Sequence, residues 1–271
     1  MTLLDVERVQ FSDTTIGLRV PLAAAVLPLS RSIQVGSTAT AFATIINAGA
    51  DTAFGCGISA ITSFPASFVF QTTHPTTNQV TGTPNTPVDI PPGAAQSFVF
   101  AITPTAPIPS TDVQLGFDCA NSSLVPILSG INTLLFSAES TPVSDIVALA
   151  ATSSNDGIVD IPGTNGTGAF AVATVNVGAG GTITASADTG SATLPVNISL
   201  CQTNPLTGQC ISAIGPNVTT QINANATPTF GIFVQGNGDL PFDPAANRIF
   251  ARFKDAGGVT RGSTSVAVRT Q

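Results

Sequence analysis

Residues 41–50 read AFATIINAGA, and residues 169–179 read AFAVATVNVGA, nearly the same sequence with one residue inserted. Aligning these two stretches brings further segments into line. The additional pairs are VPLAAA (20–25) with IVALAA (146–151), SFVFAIT (97–103) with TFGIFVQ (229–235), and LLFS (134–137) with VAV (266–268). A duplication is the economical interpretation, so the sequence predicts one architecture built twice.

The repeated segments have the period of β-strands. Phe98, Phe100 and Ile102 fall on one face of an extended chain, and Val99 and Ala101 fall on the other. Similar short runs rich in Val, Ile, Thr and Phe recur along the chain, separated by Gly, Pro, Asn and Asp. No segment of helical length shows a 3.6-residue period. The expected fold class is all-β, with two tandem antiparallel β-sandwiches of the immunoglobulin-like (Ig-like) kind.

The repeat also predicts the domain organisation. Residues 1–17 have no counterpart in the second half and are interpreted as an N-terminal extension. The first sandwich is assigned to residues 18–140 and the second to residues 141–271, each close to the commonest domain size. The link around Pro142 is short, so limited swing between the two bodies is expected.

Composition excludes some classes of function. Only 8% of the residues are charged, against about a quarter in typical proteins, and the net charge is −7. Residues 32–247 contain no Lys or Arg, so no broad basic surface for nucleic acid is expected. The apolar run at 20–29 is broken by Pro21 and Pro28 and is too short to cross a bilayer. Neither a nucleic-acid partner nor a direct membrane span is predicted.

The four cysteines allow three pairings. The repeat places Cys56 and Cys119 in the first half and Cys201 and Cys210 in the second, which favours one bond within each half. Such bonds suit an oxidising compartment. Zinc is the rival interpretation, but the spacing from Cys201 to Cys210 is too long for a Cys-x2-Cys knuckle, and His74 is the single histidine. No cofactor is predicted.

Catalytic patterns are not evident. A Ser-His-Asp or Cys-His site needs a histidine to accept a proton, and His74 precedes Pro75 at the head of a Pro-rich loop (74–93). The acidic residues are scattered rather than paired as glycosidase chemistry requires. We therefore expect a protein that is not an enzyme.

Two oxygen-rich loops are weak calcium candidates: Asn155, Asp156 and Asp160, and, more strongly, Asp239, Asp243 and Asn247. Neither loop has the spacing of an EF-hand. Asp and Asn beside Gly and Pro are also ordinary turn residues, and that alternative stays open.

A basic strand near the C-terminus is the candidate contact face. Alternation over residues 247–254 places Ile249, Ala251 and Phe253 inward and Arg248, Phe250, Arg252 and Lys254 outward. The outward residues are interpreted either as a plain solvated strand face or as a contact site for an acidic neighbour or an anionic glycan. Because the residues before this strand are acidic, head-to-tail stacking of like molecules would bring opposite charges together.

The segment IPPGAAQSFVFAITP (90–104), followed by residues 113–119 and the strand near Leu134, resembles the Ig-like repeats of bacterial cell-surface and secreted proteins, of the CARDB or adhesion-repeat type. The resemblance implies an extracellular, non-catalytic module that serves as a stalk, spacer, adhesin or lattice unit. It carries over no functional residues.

Two functions from different classes follow. The first is an extracellular or cell-surface structural protein that acts as a stalk or as a subunit of a filament or layer and self-associates through its termini or sheet edges. The second is a monomeric adhesin module that binds a glycan or a surface protein, which predicts an exposed pocket or aromatic platform.

Overall fold

The computed structural model describes residues 8–10, 15–17 and 19–271. This part of the chain contains 20 β-strands and no helix. The first two strands, β1 (Arg8–Gln10) and β2 (Thr15–Gly17), pair with each other in antiparallel fashion. Most of the predicted N-terminal extension lies outside the described residues. The all-β fold class predicted from the sequence is confirmed.

Nine strands follow in residues 20–139, a stretch called the N-half below. They are β3 (Leu22–Leu27), β4 (Ser30–Gln34), β5 (Ala39–Asn47), β6 (Ala53–Ala60), β7 (Ala66–Thr73), β8 (Val88–Ile90), β9 (Ala95–Pro104), β10 (Ile108–Asp118) and β11 (Thr133–Glu139). One sheet has the order β3-β5-β9-β7 and the other β4-β11-β10-β6-β8. The β4–β11 pair is parallel, whereas the other pairs in the two sheets are antiparallel.

Nine further strands occupy residues 146–270, called the C-half. They are β12 (Ile146–Thr152), β13 (Ile158–Ile161), β14 (Thr167–Asn176), β15 (Gly181–Asp188), β16 (Val196–Thr203), β17 (Asn217–Ile222), β18 (Thr229–Gly236), β19 (Arg248–Asp255) and β20 (Thr260–Thr270). Their sheets have the orders β12-β14-β18-β16 and β13-β20-β19-β15-β17. Subtracting nine from each C-half strand number reproduces the two strand orders of the N-half. The β13–β20 pair is again parallel. The topology is built twice.

Each half has its own buried core. Phe98, Phe100, Phe117 and Phe136 are almost fully buried in the N-half cluster, whereas Ile and Val side chains dominate the C-half cluster around Phe230 and Phe253. Full burial of such side chains contributes about 1.5–3 kcal/mol each. These two clusters account for the alternation of apolar residues along the strands.

The repeated AF pair is in opposite phase in the two halves. Ala41 is buried and Phe42 is exposed on β5, whereas Ala169 is exposed and Phe170 is buried on β14. Because side chains alternate with a period of two, the single inserted residue moves the aromatic ring to the other face. Counted back from the asparagine that ends each strand, the burial patterns coincide.

That asparagine is buried in both halves. The Nδ2 of Asn47 donates to the carbonyls of Asp51, Ile90 and Pro91, and the Nδ2 of Asn176 donates to those of Ala179 and Ile222. The Oδ1 of each residue accepts the N–H of the glycine two residues later. Each asparagine thus ties the end of a strand in one sheet to β8 or β17 in the other.

Both disulfides lie within halves. Cys56 on β6 is bonded to Cys119, the residue after the neighbouring strand β10. The Cα atoms of the two cysteines are 4.0 Å apart. Cys201 on β16 bonds Cys210, with Cα atoms 5.6 Å apart. These two bonds use all four cysteines of the sequence.

The Pro-rich loop runs along an edge strand. Asn85 Oδ1 accepts the N–H of Phe70, and the backbone N–H of Asn85 donates to the carbonyl of Phe70. The backbone N–H of Thr81 donates to the carbonyl of Thr72. In the C-half, the backbone N–H of Ile211 donates to the carbonyl of Gln202, and Gly215 exchanges two backbone hydrogen bonds with Leu200, both on β16. The outer edges of β7 and β16 are therefore covered, which blunts edge-to-edge pairing there.

Candidate functional site

The two halves meet along a polar contact that we call the seam. Strand β4 of the N-half lies against β20 and β12 of the C-half. Ser30 Oγ accepts the N–H of Ser263 at 2.6 Å, and Ser265 Oγ donates to the carbonyl of Gly130 at 2.7 Å. Ser30 and Ser263 are both buried. Hydrogen bonds between buried groups therefore fix the two halves against each other.

Arg261 crosses the seam from β20. Its Nη2 lies 3.1 Å from Glu139 Oε1, its Nη1 donates to Ser137 Oγ at 3.2 Å, and its Nε lies 2.7 Å from Asp255 Oδ2. The side chain is 5% exposed. One buried guanidinium thus connects β11 of the N-half with β19 and β20 of the C-half.

A second ion pair joins β4 to the segment before β12. Arg31 Nη2 and Nε lie 2.8 and 2.9 Å from Asp145 Oδ2, and the N–H of Ser32 donates to Asp145 Oδ1 at 2.9 Å. Burial raises the pKa of the Asp145 carboxyl above its ordinary value, and Arg31 and the Ser32 N–H oppose that rise. No local sequence pattern predicted this seam, because Arg31 and Asp145 are 114 positions apart and Ser137 and Arg261 are 124 positions apart.

On the predicted basic contact face, Phe250 is buried, whereas Arg248, Arg252 and Lys254 are half-buried. Phe250 is only 9% exposed, and Gly130 of the N-half and Gly190 lie close to its ring. Arg252 bonds Asp188 Oδ2 at 2.7 Å and stacks on Phe250 at 4.8 Å from the ring centroid. The inward positions Ile249, Ala251 and Phe253 are buried as expected. Alternation along one strand does not reveal what packs on its outward face, and the contact role of these residues stays a prediction.

Arg248 and Lys254 complete the predicted face and differ from Arg252. Arg248 Nε and Nη2 donate to Ser265 Oγ, and Nη1 donates to the carbonyl of Pro244. Burial lowers the pKa of Arg248 to about 10. Among residues 19–271, no carboxylate lies within ion-pair distance of Arg248 or Lys254.

The calcium candidates form turns. Asp243 Oδ1 accepts the N–H groups of Ala245 and Ala246, Asn247 Nδ2 donates to the Pro241 carbonyl, and Asp239 Oδ1 accepts the hydroxyl of Thr270. Within the described ranges, no group of three acidic, His or Cys side chains is placed to hold a metal. The ordinary turn interpretation accounts for these hydrogen bonds.

The other loop is also a turn. Asp156 Oδ1 accepts the N–H of Ile158 and the hydroxyls of Ser154 and Thr152, and these bonds lower the pKa of Asp156. Asp160 instead pairs with Arg269 at 2.7 Å. Asp156 is therefore satisfied within its own turn, whereas Asp160 is paired with a residue of β20.

His74 caps a turn. Its Nδ1 accepts the N–H groups of Thr76 and Thr77, as the Oδ1 of Asn204 accepts those of Leu206 and Thr207 in the C-half. THPTTNQV (73–80) and TNPLTGQC (203–210) therefore form the same turn. His74 therefore occupies the position in this turn that Asn204 occupies in the C-half.

Within the residues that the structure describes, there is no helix long and apolar enough to cross a membrane.

No known protein family and no curated protein matches this sequence. Among solved structures, the chain is similar, with a TM-score of 0.26 and 10% identity, to the secreted serine protease VesC from Vibrio cholerae, over 88% of this chain and 47% of that one. It is also similar, with a TM-score of 0.26 and 9% identity, to the CupB6 tip adhesin from Pseudomonas aeruginosa, over 94% of this chain and 99% of that one. The chain thus spans about half of the length of VesC. Likenesses this weak assign neither a fold family nor a function.

Proposed function

We propose that this is a non-catalytic, extracellular or cell-surface structural protein, in which two tandem Ig-like sandwiches act as a stiff stalk or as the subunit of a filament or layer. The seam carries the proposal. Buried contacts from Ser30, Arg31 and Arg261 couple the halves. A spacer or lattice unit needs such coupling, because a flexible joint would not transmit a defined geometry.

The strand order supports the Ig-like interpretation and the assignment of residues 18–140 and 141–271 as two domains. An Ig-like sandwich has strands A, B, E and D in one sheet and C, F and G in the other. The sheet β3-β5-β9-β7 has the ABED order, and β11-β10-β6 within the second sheet has the GFC order. The C-half repeats both orders.

The disulfides and the sparse charge support an extracellular location. Disulfides persist in oxidising compartments and are rare in the cytosol. Both bonds close loops within one half, so each half is reinforced separately.

Self-association is proposed through the termini or through open sheet edges. Because β7 and β16 are covered by their own loops, the edges available for lateral pairing are those at other ends of the sheets, such as β8 and β17. The N-terminal residues 1–17 are the proposed donor of an added strand.

Negative-stain microscopy and analytical ultracentrifugation of the full chain test this proposal. We expect filaments, layers or defined oligomers, and we expect their loss when residues 1–17 are deleted. Particles of one chain at all concentrations would contradict self-assembly, and intact assembly after the deletion would exclude the N-terminal donor. Lys254→Gln, which removes a cation without a carboxylate partner among residues 19–271, tests the head-to-tail charge contact separately.

The second candidate function is a monomeric glycan- or protein-binding adhesin module. Exposed apolar side chains at the turn closed by the Cys201–Cys210 disulfide favour it, because Leu206 is 93% exposed and Ile211 and Ile214 are also exposed. Loss of partner binding in a Leu206→Ser variant would support this function over the structural one.

A further inference from the structure

The charged residues of the strands are confined to one kind of sheet. Within residues 19–271, the eight strands of the two four-stranded sheets, β3-β5-β9-β7 and β12-β14-β18-β16, contain no Asp, Glu, Lys, Arg or His. The five-stranded sheets carry charged residues in β4, β8, β10, β11, β13, β15, β19 and β20. Because charged residues are depleted at the centres of protein interfaces, the outer faces of the four-stranded sheets are candidate contact surfaces.

A row of large apolar side chains, which we call the ridge, crosses the outer face of the N-half sheet. Leu27 on β3 is paired with Phe42 on β5, and Phe42 is paired with Val99 on β9. Leu27 and Phe42 are 50% and 38% exposed, and Val99 is half-buried. The next positions along the same face are small, with Ala25 on β3 and Ala101 on β9.

The C-half sheet has a row of small residues, the trough, at the equivalent place. Ala171 on β14 and Phe42 on β5 both stand five residues before the asparagine that ends their strand. Ala171 is paired with Ala151 on β12 and with Gly231 on β18. Both alanines are exposed. The trough is therefore three strands wide, like the ridge.

Large and small side chains are exchanged between the halves in the flanking rows as well. Where the N-half has Ala25 and Ala101 on either side of the ridge, the C-half has Leu149 and Phe233 on either side of the trough. Leu149 is 44% exposed, and Phe233 is half-buried. A ridge between two low rows fits a trough between two raised rows, and sheets that pack face to face interdigitate in this way.

We propose that the ridge of one copy of this chain packs into the trough of the next copy, so that copies associate head to tail through the outer faces of their four-stranded sheets. The contact joins two different surfaces, and repetition of such a heterologous contact produces open filaments or rings. This inference rests on the proposed role as an assembly subunit, and it assigns the contact to sheet faces rather than to termini or edges.

The size of the faces is sufficient for a specific contact. Each face has four strands of six to ten residues, which cover roughly 500 Å² at the usual strand spacing and rise. Two such faces would bury roughly 1,000 Å², which reaches the range of specific interfaces. Arg248 and Asp156 line the groove beside Leu27 and Leu149, but they belong to β19 and to the loop before β13 and lie outside both faces.

Sedimentation velocity of the full chain over a range of concentrations tests the proposal. Phe42→Glu places a charge on the ridge and Ala171→Glu places one in the trough; each should weaken self-association at least about tenfold, because the contact would bury an unpaired carboxylate. Phe54→Glu, at a 52% exposed position of β6 in a five-stranded sheet, is the matched control and should associate as the unchanged protein does. Association of both face variants to the same extent as the control would overturn the proposal. Phe42→Ser takes the place of Phe42→Glu if circular dichroism shows that the latter does not fold.

A mixture of the two face variants tests whether the ridge pairs with the trough. Phe42→Glu retains the trough and Ala171→Glu retains the ridge, so one chain of each can form a single junction and cannot extend it. We expect a complex of two chains in the mixture and none in either variant alone. Absence of that complex, or association of Ala171→Glu with itself, would overturn the pairing.

Deletion of residues 1–17 separates this contact from the terminal one. Filaments that persist in Phe42→Glu and disappear on the deletion would overturn the ridge and trough contact and leave the assembly role standing. Association that both face variants abolish, without filaments in negative stain, would support the contact and contradict the filament. Single chains at every concentration would overturn both.

Discussion

Asn47 and Asn176 occupy equivalent places at the ends of β5 and β14, and both are fully buried. Each side chain donates to backbone carbonyls that reach it from a different sheet and accepts the N–H of the glycine two residues later. A buried amide that satisfies several backbone groups leaves those groups unpaired when it is removed. These two residues explain why the Asn-x-Gly-Ala pattern recurs in the repeated stretch.

Replacing either Asn47 or Asn176 with Ala should lower the free energy of unfolding by about 1–3 kcal/mol, because buried carbonyls lose their donor. Urea denaturation followed by circular dichroism measures the change. Asn217→Ala, at an exposed position of β17, is the control and should change stability by less than about 0.5 kcal/mol. Equal stability of all three variants would show that the buried amides are dispensable.

Asp145 predicts a pH dependence at the seam. Its pKa is raised in the folded chain, whereas an aspartate in an unfolded chain titrates near about 3.9. Between these two values the folded chain binds more protons than the unfolded chain, so the contribution of Asp145 to the free energy of unfolding falls as pH rises. Asp145→Asn cannot titrate there.

Urea denaturation of the unchanged protein and of Asp145→Asn at a series of pH values isolates this contribution. The difference in unfolding free energy, unchanged protein minus variant, should decrease as pH rises through the window and become level above it. A difference that increases with pH would show that Arg31 outweighs the burial of the carboxylate.

At the scale of single elements, the two halves form the same turn with different residues. Residues 73–80 and 203–210 make the same backbone turn, with Asn78 at a φ of 57° and Gly208 at a φ of 72°. Asn and Gly are the residues that adopt this left-handed conformation most readily. Only the C-half closes the turn with a disulfide, since Val80 stands where Cys210 does.

Removing the disulfides should therefore have unequal effects. In the chain-entropy treatment, Cys56→Ala with Cys119→Ala should cost about 4 kcal/mol, and Cys201→Ala with Cys210→Val about 3 kcal/mol, because the second bond closes the shorter loop. The C-half turn should survive, as its N-half counterpart exists without a bond. Chemical denaturation gives the energies, and amide hydrogen exchange at 203–210 tests the turn; rapid exchange throughout would contradict its independence.

For the whole molecule, the seam predicts coupled unfolding of the two halves. Arg261→Met leaves Ser137, Glu139 and Asp255 without their shared cation, and we expect a loss of about 3 kcal/mol, since breaking a buried ion pair is strongly destabilising. Differential scanning calorimetry should show one transition for the unchanged protein and two for this variant.

Arg269→Met is the control for the seam. Its partner Asp160 belongs to the same half, and both side chains are about one third exposed, so a change below about 1 kcal/mol is expected. A single transition in Arg261→Met would show that the halves remain coupled without this cation.

Local sequence patterns were sufficient to predict much of the architecture. Alternation at Phe98, Phe100 and Ile102 predicts the strand and its buried face, and the recurrence of AFATIINAGA accompanies the same strand order in both halves. These features depend on neighbours along the chain, because side-chain alternation is a property of the extended backbone itself.

Only the tertiary structure decided which face of each strand is buried and which residues pack on it. Phe42 and Phe170 look equivalent in sequence, yet one is exposed and the other buried, because a one-residue insertion changes the phase of the strand. On the outward face of β19, Phe250 packs against Gly130 of the N-half and Gly190 of the C-half, whereas Arg252 and Lys254 are partly exposed. Amino-acid order alone thus determined the strands and the favoured cysteine pairing. The seam arose only from packing, because its residues meet across long stretches of chain.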